Sequence, residues 1–403
     1  MKILIVGAGQ MGYAAGVELL RRGGIEVYYT DNNFEKSHSI PAGSKFMYSE
    51  NPCNIITDKN NKFDVIIGAA SYSLNESLTA AAIESRTHFC DLGGNNTVVQ
   101  KQLVMSENAE KAGVFVIPDC GLAPGLACML AARGIEQFGG TADSVKIYVG
   151  GLPEYPVAPL NYALSWSVDG LINEYLEKSK IIRNGEIVSV YSLTELENID
   201  IFEDGDDDLE AFHTSGGIST LTETYLGKVN NLEYKTLRYQ GHCNIFLAMK
   251  QLGLLTGNNR YFTEAQLNNY LPKINSENPD LVLVKVIVQK GNDTITFELC
   301  EGYSKDQHLS AMARTTGFSV AIVAYLLGIE GVELNVLRKL GKHGGVIPGE
   351  LALPLEEYIG QFKNAGVKIR TSSSLPLWGN KDIPPPLSKP ISFKDYLLRL
   401  IGK

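Results

Sequence analysis

Carboxylates beside glycines recur where turns are expected along this chain. Asp91-Leu-Gly-Gly-Asn95 and Asp119-Cys120-Gly121 both follow short apolar runs. A carboxylate there holds an ammonium group or takes its proton, and the glycines let a ligand approach the backbone. Both aspartates also suit helix capping. Cys120 is read as a packing or steric neighbour of the ligand, because no adjacent histidine would make it a nucleophile. A second group, Lys235, Arg238, Tyr239 and His242, closes another run. Tyr234, Thr236 and Arg238 share one strand face by period two, and Arg238 offers the fork that matches a carboxylate with two parallel bonds. Ser215 and Gly216, within Thr214–Gly217, add hydroxyl and backbone donors for the same anion. His242 titrates near neutrality in water. Asp119, Glu154 and His242 are the candidates for a general base, and the sequence does not choose among them. Glu174 falls off the apolar side of its helix.

A third pattern opens the chain. Gly7-x-Gly9-x-x-Gly12 follows an apolar strand, Lys2–Val6, and begins a helical stretch that runs to Arg22. The first glycine permits the tight turn, the second a close pyrophosphate, and the third close packing of helix on strand. Gln10 and Met11 lie between them, where the helix N-terminus offers N–H groups to phosphate. Asp31 ends the second strand, placed to accept from ribose hydroxyls and to repel a 2′-phosphate. The cofactor expected is NAD, with NADP possible. The alternative role for Asp31 is to cap a helix starting at Asn33–Phe34. Ala69, Ala70 and Ser71, at the end of the run Phe63–Ala70, complete the expected nucleotide site.

These residues need a scaffold that brings strand ends together. Apolar runs at 2–6, 25–30, 63–70, 87–91 and 114–118 alternate with helical patterns at 74–85 and 98–112. This is the signature of a Rossmann doubly wound parallel sheet over residues 1–120. Later the pattern changes. Asn184-Gly185 joins Lys180–Arg183 to Glu186–Tyr191, and Lys290–Asp293 joins Leu281–Gln289 to Thr294–Leu299, which reads as two hairpins. Residues 121–375 are therefore expected to form an α+β second domain with a mostly antiparallel sheet. Helices are expected at 308–327 and 354–363, with Gly366 just past the second. Residues 376–403, with Pro384-Pro385-Pro386, read as an extended tail.

The 403 residues carry 36 basic and 45 acidic side chains, for a net charge of −9. That balance leaves no electrostatic footprint for nucleic acid or an anionic membrane. Nine acidic residues lie between Glu195 and Glu210 and account for the whole excess. They read as a solvated loop; a calcium loop is rejected because Leu209 stands where glycine is required. No HExxH, Cys/His cluster or P-loop is present, so no metal is expected. Six cysteines without a CxxC pair suggest thiols in a reducing, cytoplasmic setting. The apolar strand 281–289 needs cover, so a homodimer is expected.

Several segments together are similar to the saccharopine dehydrogenase-like superfamily: GAGQMG at 7–12, CDLGGNN at 90–96, IPDCGLAPGLA at 117–127, GGLPEYPVAPLNY at 150–162, SVDGLINEY at 167–175, EYKTLRYQGH at 233–242 and GGVIPGEL at 344–351. Within it, the chain most resembles the lysine 6-dehydrogenases. The resemblance implies a nicotinamide-dependent amine dehydrogenase acting on a free amino acid. On this reading it oxidatively deaminates the ε-amine of lysine. The alternative is a saccharopine reductase-like enzyme, forming or cleaving a secondary amine between two amino-acid units. A second alternative is a non-catalytic nucleotide sensor. Gln240 stands where the family pattern has proline, and His213-Thr-Ser-Gly-Gly also departs from it; both lie at the expected substrate pocket.

Overall fold

The computed structural model describes residues 1–201, 209–329 and 343–374. Most of the acidic run and the whole proposed tail lie outside them. The described residues form two compact units: 1–129 with 313–367, and 130–312 with 368–374.

The first unit is built on seven parallel strands: β1 (Lys2–Val6), β2 (Glu26–Asp31), β3 (Lys45–Tyr48), β4 (Val65–Gly68), β5 (His88–Asp91), β6 (Phe115–Ile117) and β15 (Gly345–Val346). Their order is β15-β6-β5-β4-β1-β2-β3, so the winding reverses between β1 and β4. In such sheets ligands bind outside the strand C-termini at that reversal. Ile3, Leu4, Ile5, Val65, Ile66 and Ile67 are wholly buried, as runs covered on both faces must be. The stretch 98–112 is not one helix. It divides into Asn96–Val104 and Ser106–Ala112, because the Met105 N–H closes a tight turn on the Gln102 carbonyl.

The boundary does not fall once, near residue 120. β15 pairs with β6, and residues 313–367 belong to the first unit. The helix Ala311–Gly328 crosses between the units in sequence. It is long and apolar enough to span a membrane, yet 78% of it is buried inside the fold.

The second unit holds a nine-stranded sheet: β7 (Ala142–Pro153), β8 (Lys178–Arg183), β9 (Glu186–Tyr191), β10 (Glu197–Asn198), β11 (Leu209–Phe212), β12 (Val229–Tyr239), β13 (Asp280–Lys290), β14 (Asp293–Gly302) and β16 (Ile369–Ser373). The order is β10-β11-β12-β7-β13-β14-β16, with β8 beside β12 and β9 beside β8. The pairing is antiparallel except for β12 on β7, so the sheet is mostly antiparallel, as expected. Both hairpins form. Asn184 and Gly185 take the two positive φ angles, +53° and +81°, that a type I′ turn requires. β13 is a central strand whose Leu281–Val284, Val286 and Val288 are buried within the single chain. Its apolar face therefore needs no partner subunit, and the argument for a dimer drawn from it falls.

Candidate functional site

In the first unit, Gly7 has φ +103°, and a Cβ there would sit 2.7 Å from the Ala69 carbonyl oxygen. A Cβ on Gly12 would overlap the Gly7 carbonyl. Both glycines therefore let the β1 turn close against the end of β4. Gly9 is different: a Cβ there would meet nothing within 4 Å. It is the N-cap of the helix Gln10–Arg22, and no side chain caps that helix. Open space beside uncapped N–H groups is the cradle a pyrophosphate fills, so these residues fit a dinucleotide. Gln10 is exposed and Met11 half-buried at this end, with Ala69 and Ala70 half-buried beside Gly7. Ser71 caps the short turn that follows, accepting from the Ser73 N–H.

Asp31 accepts the Ala8 N–H at 2.9 Å on one oxygen and the Asn33 N–H at 2.9 Å on the other. The first bond fixes the carboxylate against the glycine turn. Its remaining lone pairs suit ribose hydroxyls. Asn33, not Asp31, caps the next helical turn.

The other strand ends behave differently from expectation. Asp91 is fully buried and accepts from Gln102 Nε2 at 2.7 Å, the Gly93 N–H at 2.7 Å and the Asp119 N–H at 3.4 Å. It binds its own loop rather than a substrate ammonium. Burial pushes its carboxyl up to about 6, and these three donors only partly offset it. Asn95 caps the helix Asn96–Val104, accepting from the Thr97 and Val98 N–H groups. Cys120 is wholly buried, directed at the Ile117 carbonyl, and burial raises its thiol far above the usual range. It packs against its own turn, as the steric reading expects. Asp119 follows β6 in the left-handed region, φ +59°, against Gly93, where any Cβ would strike its Oδ1.

The second unit holds a buried polar network around Arg238 of β12. Arg238 Nε donates to Tyr175 Oη at 3.2 Å, and its guanidinium lies 5.0 Å from the Tyr162 ring centroid. His242 Nδ1 faces the Leu160 carbonyl at 2.9 Å, so that nitrogen carries the proton. Nε2 must then accept from Tyr175 Oη at 2.9 Å. Arg238, Tyr175 and His242 thus form one directed chain. Burial, then the Arg238 charge, push His242 down to about 3. It is neutral at physiological pH and holds Tyr175 in place, so the expected proton shuttle is not supported. Nη1 of Arg238 reaches the Leu237 carbonyl, while Nη2 has no hydrogen-bond partner among the described residues. A buried guanidinium with spare donors suits an anionic ligand.

Sequence logic explains how these parts are placed. Ser167 caps the helix Val168–Leu176, which buries Leu171, Ile172 and Tyr175 on one side. Gly241, at φ +92°, starts the helix His242–Gln251. Glu210 accepts the Gly241 and Cys243 N–H groups and so clamps that helix start, a role its place in the acidic run concealed. Glu174, half-buried on the capped helix, is pushed up to about 7 by desolvation, which Arg238 partly opposes. Ser215 is engaged elsewhere: its N–H bonds the Glu174 carbonyl and its hydroxyl the Asn173 carbonyl. Gly216 leaves open space at φ +85°. Glu154, just past β7, accepts from the exposed Tyr155 hydroxyl and is not part of the Arg238 network. The structure also gathers Glu195, His213 and Glu233, which no spacing motif announces.

The saccharopine dehydrogenase C-terminal domain model matches residues 121–367. The chain is 27% identical over 372 residues to the mitochondrial alpha-aminoadipic semialdehyde synthase of Mus musculus, covering 84% of this chain and 39% of that protein. It is 26% identical over 197 residues to saccharopine dehydrogenase [NADP(+), L-glutamate-forming] of Schizosaccharomyces pombe, covering 47% of this chain and 43% of that one. The chain thus spans about two fifths of these curated relatives. Among solved structures, apo saccharopine dehydrogenase (L-Glu forming) from Saccharomyces cerevisiae superimposes with a TM-score of 0.73 at 17% identity. That match covers 93% of this chain and all of the yeast one, and shows a shared fold.

Proposed function

The chain belongs to the saccharopine dehydrogenase C-terminal domain family, and from that premise we propose that it is a nicotinamide-dependent oxidoreductase acting on a saccharopine-type secondary amine. The names of its relatives support this alternative over deamination of lysine itself. The observation that carries the reading is Arg238: a buried guanidinium, braced by Tyr175, with an Nη2 that no described residue engages. Its fork takes an amino-acid carboxylate with two parallel bonds.

Bound NAD(P) would supply the hydride acceptor. The chain's own residues do the rest. Gly7, Gly9 and Gly12 receive the dinucleotide, and Asp31 selects its ribose. Tyr175 and His242 hold the Arg238 side chain, so that little rotamer freedom is lost when a carboxylate binds. Glu174, titrating at about 7, exchanges a proton near neutral pH.

The test is turnover of saccharopine with NAD or NADP, followed by the absorbance of the reduced nicotinamide, with lysine in a parallel arm. Saccharopine is expected to react. Turnover of lysine alone would restore the primary-amine reading, and no turnover of either would sink both. Arg238→Ala should raise the KM for saccharopine by roughly ten- to a hundred-fold, as loss of a charge-assisted contact does, with NAD affinity unchanged.

A further inference from the structure

His213 follows β11 and is completely buried. Its Nδ1 lies 3.1 Å from the Tyr234 carbonyl oxygen. A carbonyl can only accept, so Nδ1 carries a proton. Nε2 then points at Glu195 Oε2, 3.2 Å away, and at Glu233 Oε2, 3.9 Å away. In the neutral ring Nε2 is a lone pair, so three acceptors converge on one point. The Arg183 guanidinium reaches Glu195 from one side, and a proton on Nε2 or a metal ion fills the remaining gap between the three.

The geometry favours a metal-sized gap. All three ligand atoms lie within 4.8 Å of one another. Donors about 2.0–2.1 Å from a tetrahedral zinc ion stand about 3.3 Å apart, so small side-chain movements close the set. The histidine is oriented by a backbone carbonyl on its other nitrogen, the usual support for a ligating imidazole. Backbone pairing steadies the loop that carries Glu195: the Leu193 N–H bonds the His213 carbonyl, and the His213 N–H bonds the Thr194 carbonyl. Lys235 Nζ holds the Glu195 carbonyl at 2.8 Å. Glu195 and Glu233 keep their side chains 42% and 24% exposed, which leaves a way in and room for water as a fourth donor. The two carboxylates supply anionic oxygens for a divalent ion, which would compete with Arg183 for Glu195. The other nearby cations among the described residues are Lys146 near Glu233 and Lys235, whose ammonium pairs with Glu197.

We propose that Glu195, His213 and Glu233 form a binding site for a divalent transition cation of the zinc class. An imidazole beside carboxylates prefers zinc to magnesium or calcium, which favour all-oxygen sets. The site lies wholly within the second unit.

The test is calorimetric titration of the full chain, stripped with chelator, with zinc chloride, and with magnesium chloride as the control. One zinc ion per chain is expected, with no saturable magnesium binding. His213→Gln keeps a donor to the Tyr234 carbonyl but loses the imidazole ligand, and should weaken zinc at least ten-fold. Should that variant misfold, Glu233→Gln, at a partly exposed position, should weaken zinc comparably. Absence of saturable zinc binding would mean that a proton alone occupies the cluster, and would overturn the proposal. So would zinc affinity unchanged in both variants, which would place the ion elsewhere.

Discussion

Two aspartates at strand ends illustrate how burial decides a carboxylate's role. Asp91 is held at about 6 against an ordinary 3.8, because burial penalises its charge more than the Gln102, Gly93 and Asp119 donors offset it. The folded chain therefore keeps this proton to higher pH than the unfolded chain. Between those two values the folded state binds more protons, so stability is full below the lower value and falls as pH rises through the upper one. The two-unit difference corresponds to about 3 kcal/mol. Asp91→Asn should remove that slope. Gln102 can turn its amide, bringing an Oε1 that has no hydrogen-bond partner to the new amide N–H. Denaturant unfolding at pH 5 and pH 8 checks this: the variant should lose less stability than the parent over that range. An unaltered KM for substrate would agree with Asp91 acting on its loop alone. Asp31 is the opposite case, half-buried at a site open to a nucleotide. A 2′-phosphate about 4 Å away would meet repulsion of order 4 kcal/mol at an effective dielectric near 20, reduced by screening to about 1–3 kcal/mol. The chain should therefore prefer NAD by roughly ten- to a hundred-fold, although the fission yeast relative carries NADP(+) in its name. Asp31→Ser should erode the preference; equal kcat/KM for the two cofactors in the parent would show that Asp31 does not face the ribose.

At the scale of elements, the glycine turn separates folding from binding. Gly12 cannot accept a Cβ without overlapping the Gly7 carbonyl, so Gly12→Ala must push helix from strand and lower thermal stability. Gly9 already has φ −79° and open surroundings, so Gly9→Ala should leave the melting temperature unchanged. Its methyl would stand where the pyrophosphate approaches, and NADH affinity, read by fluorescence, should fall about ten-fold. Loss of stability at Gly9, or unchanged NADH affinity, would contradict this division. This turn was legible in the sequence because its three glycines are neighbours in the chain. So were the buried strands, whose apolar runs are continuous, and the Asn184-Gly185 hairpin. β15 was not, because two residues carry no period. Nor was the break at Met105, which depends on one tightened backbone turn. Arg238 and His242 were singled out together from one segment, but Tyr175, which links them, and Glu210, which clamps the helix start, joined them only through tertiary contacts. For the same reason the setting that makes His242 neutral was invisible: water gives histidine a pKa near neutrality, and only burial beside Arg238 removes it.

At the scale of the whole molecule, the order of segments in the chain is not the order of packing. A division at residue 120 implies that the N-terminal segment folds alone. The structure places the helix Ala311–Gly328 against it. The Val320 carbonyl accepts from Cys90 Sγ, Gly317 lies directly on the backbone of Met11 and Ala15, and Gly328 abuts Met1 and Val65. Phe318, Val320, Ile322, Val323 and Leu326 are all completely buried. Fully burying each such side chain contributes about 1.5–3 kcal/mol, so this one helix supplies about 10 kcal/mol, comparable with the whole stability of an ordinary domain. The buried Tyr358 hydroxyl, bonded to Ser319 at 2.6 Å, ties the helix Leu355–Asn364 to the same unit. A fragment of residues 1–129 should therefore lack a cooperative thermal transition and bind a hydrophobic dye, despite containing six of the seven parallel strands and the entire glycine turn. Joining residues 313–367 to it through a flexible linker should restore both the transition and NADH binding. Cooperative melting of the short fragment at the temperature of the joined one would show that the later segment only decorates the unit. Restoration instead requires that the dinucleotide site depend on residues 313–367, far along the chain from the glycine turn, because the sheet that positions Gly7–Gly12 is not covered until the helix from residue 311 has packed.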